Sequence, residues 1–378
     1  MLSGFLLLVA LGSLVYCALA VLAARSYRAQ KPPQPEPDGP VAPISVLKPL
    51  AGLEDDLDAH LASFFEQDHP EFEILLAVRQ AEDPAAAIAR NLQARYPRIP
   101  SRLIVTGEPA CPNPKVYSLA RMAAAARHGL LVMTDSDVWA GPRMLREIAA
   151  EFADPRVGLV SCPYRAVPTE SFWSQLEALT INTEALGGAL VARMIEGMKF
   201  ALGPAIAIRR ETLASIGGFD GLKDFLAEDF VMGNRAAAKG WQVLFSSCVI
   251  DHHIGGRGFG PVWGHMLRWY RSTRRSRPWG YVGQAFLNPL PPALLLGLLG
   301  SSAWWGALAG AAVVFRAAAA WATAVWALQD PLSRRRWYLI PLADGLSLSL
   351  WIAGFFGRHI TWRGRRYKLL RGGRFELG

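Results

Sequence analysis

The chain has 378 residues, with 40 Lys+Arg against 31 Asp+Glu for a net charge of +9, and 52% of it is hydrophobic against 19% charged. That is too apolar for a disordered chain and too unevenly apolar for one soluble domain. At about 150 residues per domain, the length allows two globular units, or one unit with membrane segments.

Residues 1–24 carry no charge, and Arg25, Arg28 and Lys31 follow them. About 20 apolar residues cross a bilayer core. Positive charge behind the stretch, rather than in front, favours an uncleaved transmembrane anchor with its C-terminal side in the cytosol over a signal peptide. Residues 25–43, with Pro32, Pro33, Pro35, Pro37, Pro40 and Pro43, read as a semi-rigid spacer. Short apolar runs then alternate with amphipathic ones. Strands are expected at residues 44–47, 73–78, 102–106, 130–134 and 157–162, and helices at 55–67, 85–95, 116–127 and 143–152. This alternation predicts βαβ units and a mostly parallel sheet, with ligands at the carboxyl ends of the strands.

The loops after those strands hold the polar residues of interest. Asp135 and Asp137 directly follow an apolar strand; two carboxylates one residue apart suit Mg²⁺ or Mn²⁺, and Asp-Ser-Asp is equally good turn chemistry. Asp83 precedes Pro84 and reads as a helix cap. Lys115, in Asn113-Pro-Lys115, stands at a helix start where anions are favoured, or is an exposed loop lysine. Glu228 and Asp229 open another helix, where the helix dipole favours acids; one of them is a candidate general base. Asp251-His-His253 is expected to be a polar turn. Residues 171–198 read as a helix that lines a lipid entry or packs on the sheet.

The segment Trp263-Gly-His-Met-Leu-Arg268-Trp269-Tyr270-Arg271, followed by Arg274, Arg275 and Arg277, predicts a basic amphipathic helix at the membrane surface. Arg268 suits either lipid head groups or a diphosphate. From residue 286 to 329 the chain is apolar with Arg316 as its one charge, long enough for two short spans joined near Ser301 and Ser302. Residues 337–357 are apolar but interrupted by Pro341, Asp344, Gly345, Ser347 and Ser349. The arginines on both sides prefer the cytosol, so this stretch is expected to re-enter or lie in the interface. Cys17, Cys111, Cys162 and Cys248 are scattered and give neither a disulfide framework nor a zinc site. Because the basic residues cluster beside apolar segments, an anionic bilayer explains the charge better than nucleic acid, which is not an expected partner.

The order Asp83, Asn113-Pro-Lys115, Asp135-Ser-Asp137, Glu228-Asp229, Arg268-Trp269, with Leu47-Lys-Pro-Leu50 before it, resembles the family-2/21-like inverting glycosyltransferases. The likeness is greatest to the ceramide glucosyltransferase family and the bacterial hopanoid glycosyltransferases related to it. It covers nearly the whole chain, including the tail Trp362-Arg-Gly-Arg-Arg-Tyr367.

The resemblance implies an α/β GT-A-type nucleotide-sugar-binding domain with a mostly parallel sheet, flanked by N- and C-terminal transmembrane helices. The expected division is an anchor at 1–24, a linker at 25–43, a catalytic domain at 44–260, the basic interfacial helix at 261–284, a C-terminal transmembrane region at 285–329, and a re-entrant or further membrane segment with a basic tail at 330–378. The expected activity is transfer of a hexose from a UDP-sugar to a lipid hydroxyl, glucose to ceramide first and N-acetylglucosamine to a polyhydroxylated hopanoid second. More distant alternatives are a processive polysaccharide synthase and a binding module without activity.

Asp83, Lys115, Asp135, Arg268 and Trp269 are implied in substrate binding, Asp137 as the closer ligand of a divalent Mg or Mn, and Asp229 as the catalytic base. His265 departs from the family motif, where Gln or Arg is usual, and its role is open, as are those of His252 and His253. The expected place is a bacterial inner membrane, multi-pass, with the catalytic part in the cytosol.

Overall fold

The computed structural model describes residues 2–30, 41–256, 258–299 and 303–378. The spacer prolines Pro32 to Pro40 and the junction at Ser301 and Ser302 lie outside the described residues. The chain forms two units, one of Lys31–Tyr164 and Glu196–His253, the other of Met1–Gln30, Arg165–Ile195 and Ile254–Gly378.

The first unit is built on a sheet. Its strands are β1 (Ile44–Pro49), β2 (Phe72–Val78), β3 (Ser101–Val105), β4 (Leu130–Thr134), β5 (Val138–Trp139) and β6 (Val157–Ser161); after β7 (Tyr164–Pro168) come β8 (Ala205–Arg209), β9 (Gln242–Phe245) and β10 (Ile250–Ile254). Among the described residues the main sheet has seven strands in the order β3-β2-β1-β4-β8-β6-β9. β1 pairs in parallel with β2 and β4, and β6 with β9, while β8 runs antiparallel to both neighbours. Every residue of β1, β2, β4 and β6 is buried. That is why they read as continuous apolar runs rather than alternating ones: helices cover both faces of a parallel sheet. Leu47, Leu75, Leu119, Met122, Leu131, Ile206 and Ile208 share the core between the sheet and its helices.

Strand order reverses about β1, with β2 on one side and β4 on the other, which opens a crevice at their carboxyl ends. Helix Glu228–Ala238 reaches this crevice because Gly233 lacks a side chain. A Cβ there would come within 2.3 Å of the Phe200 backbone, so only glycine lets the helix lie against residues 200–201.

Several elements differ from the sequence expectation, the short strands β5 and β7 among them. β8 was not foreseen, because Ala-Ile-Ala-Ile is apolar at every position and shows no alternation. Asp251-His-His253 is not a turn: it lies in β10, which pairs antiparallel with β5 through Asp251 with Trp139 and His252 with Val138.

The second unit is mostly helical. Leu2–Arg28 and Trp304–Ala327 are long and apolar enough to cross a membrane, and Pro278–Phe286 with Leu290–Leu299 forms a pair bent by 54°. The stretch expected as one helix at 171–198 is Phe172–Thr180, a π-helical turn at Ile181–Ala185, and Leu186–Glu196. The single charge of the long C-terminal span is matched. Arg316 holds Asp344 through contacts of 2.7–3.1 Å, donates to Thr183 at 2.9 Å and lies 3.7 Å from Glu184. Ser347 donates to Glu184 at 2.5 Å.

Two of the residues that interrupt 337–357, inside helix Ile340–Gly354, thus serve this cluster: Asp344 pairs with Arg316, and Ser347 holds Glu184 beside it. At 15 residues that helix is shorter than the ~20 needed to cross a bilayer core upright. The basic helix is observed as Phe259–Ser276, with Val262 and Met266 buried. The tail forms a three-stranded meander, β11 (His359–Trp362), β12 (Arg365–Leu369) and β13 (Phe375–Leu377).

Candidate active site

The candidate site lies in the sheet unit, where β1 and β4 end. Lys48, fully buried near the end of β1, donates to the Asp135 carbonyl at 2.7 Å and lies 3.8 Å from the centre of the Phe64 ring. The Asp135 N–H donates to the Pro204 carbonyl and the Val138 N–H to the Asp135 carbonyl, which fixes the turn that carries both aspartates. Burial pushes the Lys48 ammonium down to about 7, against the attraction of Asp137 and Asp135.

Asn113 caps helix Pro114–Ala125. Its side-chain oxygen accepts from the N–H groups of Lys115 and Val116, with Pro114 in the first turn. Its amide then donates to the Phe225 carbonyl at 2.8 Å and to Glu228 at 3.3 Å. One buried asparagine so ties two helix starts together. Lys115, held at the first of these, lies 2.6 Å from Asp135 and 3.2 Å from Glu228. Although burial opposes its charge, these carboxylates hold the ammonium well above the ordinary lysine range.

Asp229 is one residue beyond Glu228, its Oδ1 accepting from the Phe230 N–H at 2.8 Å. Burial, and then the neighbouring Glu228, push its carboxyl up to about 7, against the pull of Lys115. A carboxyl poised there is proton-bearing in slightly acidic solution and a usable base just above neutrality.

Asp137 points elsewhere. Its Oδ2 lies 3.2 Å from His252 Nε2, and its Oδ1 is buried without a hydrogen-bond partner among the described residues. Burial works against its charge, yet the His252 imidazole and Lys48 keep it well below the usual carboxylate range. Among the described residues no group of three or more metal-binding side chains is gathered. One carboxylate with an unspent buried oxygen, beside an imidazole, still fits a divalent ion that takes its other ligands from phosphates and water. Asp83 caps helix Pro84–Arg95 through the Ala85 N–H, and also accepts from the Gly52 N–H at 3.0 Å, which pins the loop after β1.

A family model described as glycosyl transferase family 21 matches residues 5–375. The chain belongs to that family. Among curated proteins it is similar to ceramide glucosyltransferase 1 of Caenorhabditis elegans, 26% identical over 214 residues that make up 56% of this chain and 46% of that one. It is also similar to the ceramide glucosyltransferase of Komagataella phaffii (strain GS115), 29% identical over 151 residues, 36% of this chain and 29% of that one. The match therefore spans less than half the length of either relative.

Among solved structures it resembles a mannosyltransferase from Pyrobaculum calidifontis in complex with GDP-Man and Mn²⁺. The TM-score is 0.56 and the identity 20%, over 94% of this chain and 99% of that one. The likeness shows the GT-A fold.

For this family 21 chain, the structure brings together Lys115, Asp135 and Glu228, with Asp229 beside them, and places Asp137 with His252. Asp83 sits at the neighbouring helix start. Arg268 and Trp269 lie on the basic helix of the other unit, where Arg268 is 5.9 Å from the centre of the Trp362 ring and Trp269 packs on His265 at 4.9 Å. Lys48 and Asn113 were named within motifs in the sequence but given no role there. Only the fold shows that one pins the aspartate turn and the other joins two helix starts.

Proposed function

We propose that this family 21 chain transfers glucose from UDP-glucose to the primary hydroxyl of ceramide, with inversion. The observation that carries the reading is Asp229, a half-buried carboxyl pushed up to about 7 beside the Lys115–Asp135–Glu228 cluster. In that reading Asp229 takes the proton of the lipid hydroxyl. The hydroxyl oxygen forms its bond to the anomeric carbon as the bond from that carbon to the UDP oxygen breaks, and UDP leaves with the electron pair. Attack comes from the face opposite UDP, so an α-linked donor gives a β-linked glycolipid and no covalent enzyme intermediate is needed.

The carried-over roles follow the same reading. Asp83 holds the nucleotide, Asp135 the ribose and diphosphate, and Lys115 orients Asp135 and Glu228 while adding positive charge near the phosphates. Asp137 and His252 would hold a divalent Mg or Mn, which when bound offsets the negative charge of the diphosphate. Arg268 is assigned to the diphosphate, and Trp269 to substrate binding, on the strength of the family motif alone. The charge distribution supports a membrane-bound enzyme whose sheet unit faces the cytosol, since Arg25 and Arg28 close the first apolar helix.

Radiolabelled UDP-glucose and UDP-N-acetylglucosamine, offered in parallel to the purified chain with ceramide or a polyhydroxylated hopanoid, test the reading. Label moving from UDP-glucose to ceramide is expected, and excess chelator is expected to stop it. Label moving only from UDP-N-acetylglucosamine to hopanoid would replace both substrates, and full transfer in excess chelator would remove the metal. Absence of lipid label from every pairing would overturn the glycolipid reading.

A further inference from the structure

His265, the residue that departs from the family motif, has a specific partner. In the helical unit its Nδ1 lies 2.5 Å from Oε1 of Glu177, on helix Phe172–Thr180. A carboxylate only accepts, so Nδ1 carries the proton and donates. Glu177 is wholly buried, whereas the His265 side chain keeps about a third of its surface exposed. The second oxygen, Oε2, is buried with no hydrogen-bond partner among the described residues. The Gly256 backbone, at φ +121°, passes close by; a Cβ there would sit 3.6 Å from that oxygen.

A buried carboxylate oxygen with nothing to accept from is costly, and its natural complement is a donor from a ligand. The surroundings indicate what kind of ligand. Phe172, Trp173, Phe259 and Trp263 form a chain of ring contacts at 4.8–5.5 Å, and Phe172 and Phe259 are each nearly half exposed. An exposed aromatic strip beside one buried polar oxygen suits an amphiphile with an apolar body and a donating head. The head is not anionic, because a carboxylate repels phosphate; a neutral hydroxyl or amide N–H supplies the donor the oxygen lacks.

We propose that Glu177, held by His265, is the lipid head-group site. Its Oε2 accepts a hydrogen bond from a hydroxyl or amide N–H of a neutral membrane lipid, and the aromatic strip seats the start of the hydrocarbon. His265 is the positioning residue that fixes the carboxylate. The inference rests on the lipid reading given above and names the group that recognises the lipid. Ceramide and a polyhydroxylated hopanoid share the donor chemistry, and the test separates them.

The experiment is equilibrium binding of a fluorescent short-chain ceramide to the detergent-solubilised full chain without donor. Parallel titrations use the same ceramide with its hydroxyls and amide methylated, a polyhydroxylated hopanoid, phosphatidylglycerol and UDP-glucose. Glu177→Met keeps the volume and removes the acceptor oxygens, and since it also removes a buried charge it need not destabilise the fold. Ceramide affinity is expected to fall about tenfold or more in Glu177→Met, the size of a hydrogen bond to a charged group. UDP-glucose affinity should be unchanged. His265→Gln, which can still donate to Oε1, should stay within a few-fold of wild type.

On wild-type protein, which needs no variant to fold, methylated ceramide should bind at least about tenfold more weakly than ceramide. Hopanoid binding with the same dependence on Glu177, in place of ceramide, supports the site and changes the lipid. Equal binding of ceramide and its methylated form, equal binding of phosphatidylglycerol, or a parallel loss of UDP-glucose and ceramide affinity in Glu177→Met would each overturn the proposal. If wild type binds ceramide through Glu177 but transfers no sugar, the site stands and the proposed activity fails. If it transfers sugar while Glu177→Met keeps the wild-type KM for lipid, the activity stands and the site fails.

Discussion

Each unit of the molecule sets a cation between two carboxylates, and the two clusters are built to different ends. In the helical unit Arg316 meets Asp344 in a fork, with Glu184 and Thr183 beside it, and every charged side chain is at most 3% exposed. In the sheet unit Lys115 meets Asp135 and Glu228, but Asp135 is 30% exposed and a third acid, Asp229, is left over. A closed, planar Arg–carboxylate fork holds helices together; an open lysine with a surplus acid leaves a group free to move a proton. On the proposed reading, the same ingredients become a staple in one place and a working site in the other, according to whether the charges are all spent.

The comparison breaks most sharply at Asp229. Asp229→Asn is expected to lower transfer about 10²–10⁴-fold, the usual worth of a positioned base, with UDP-glucose affinity within a few-fold of wild type. Single-turnover transfer and donor titration check this. Because burial raises the Asp229 carboxyl from 3.8 to about 7, its contribution to stability is full below about pH 4 and is lost as pH rises through 7. The variant should therefore melt higher than wild type at pH 8, an outcome that scanning calorimetry reads. Arg316→Met should do the opposite. Removing one partner of a buried pair costs about 3–5 kcal/mol, and Arg316→Met with Asp344→Leu should recover most of it. Unfolding of the two variants in mixed micelles distinguishes a staple from a site.

Smaller changes sharpen the contrast. Glu228→Gln removes the like charge beside Asp229, so the acid limb of the pH–rate profile should move to lower pH. Asn113→Ala removes a cap worth about 1 kcal/mol, and should lower both the melting temperature and the turnover because the cap also joins the two helix starts. Unchanged turnover with a lowered melting temperature would confine Asn113 to the helix end.

Much of this was legible in the sequence where a residue's meaning is local. The buried parallel strands show as apolar runs, Asn113-Pro114 as a helix start, and Asp135-Ser-Asp137 as an acidic turn at a strand end. What was not legible is pairing across the chain. Arg316 and Asp344 read as blemishes in apolar stretches until the fold set them together, 28 residues apart. Glu177 drew no reading of its own, since nothing local marks it as the partner of His265, 88 residues on. The Asp251-His-His253 segment read as a turn because three polar residues in a row resemble one. In β10 they alternate, and His252 turns inward to Asp137.

The central claim is that Asp229 is a base poised by burial, and the pH dependence of single-turnover transfer from UDP-glucose to ceramide tests it most directly. The rate should climb about tenfold per pH unit on the acid side and level off with a midpoint near 7, where the Asp229 carboxyl is held. A rate that stays flat between pH 5 and 8, with donor saturating and the protein folded throughout, would contradict it.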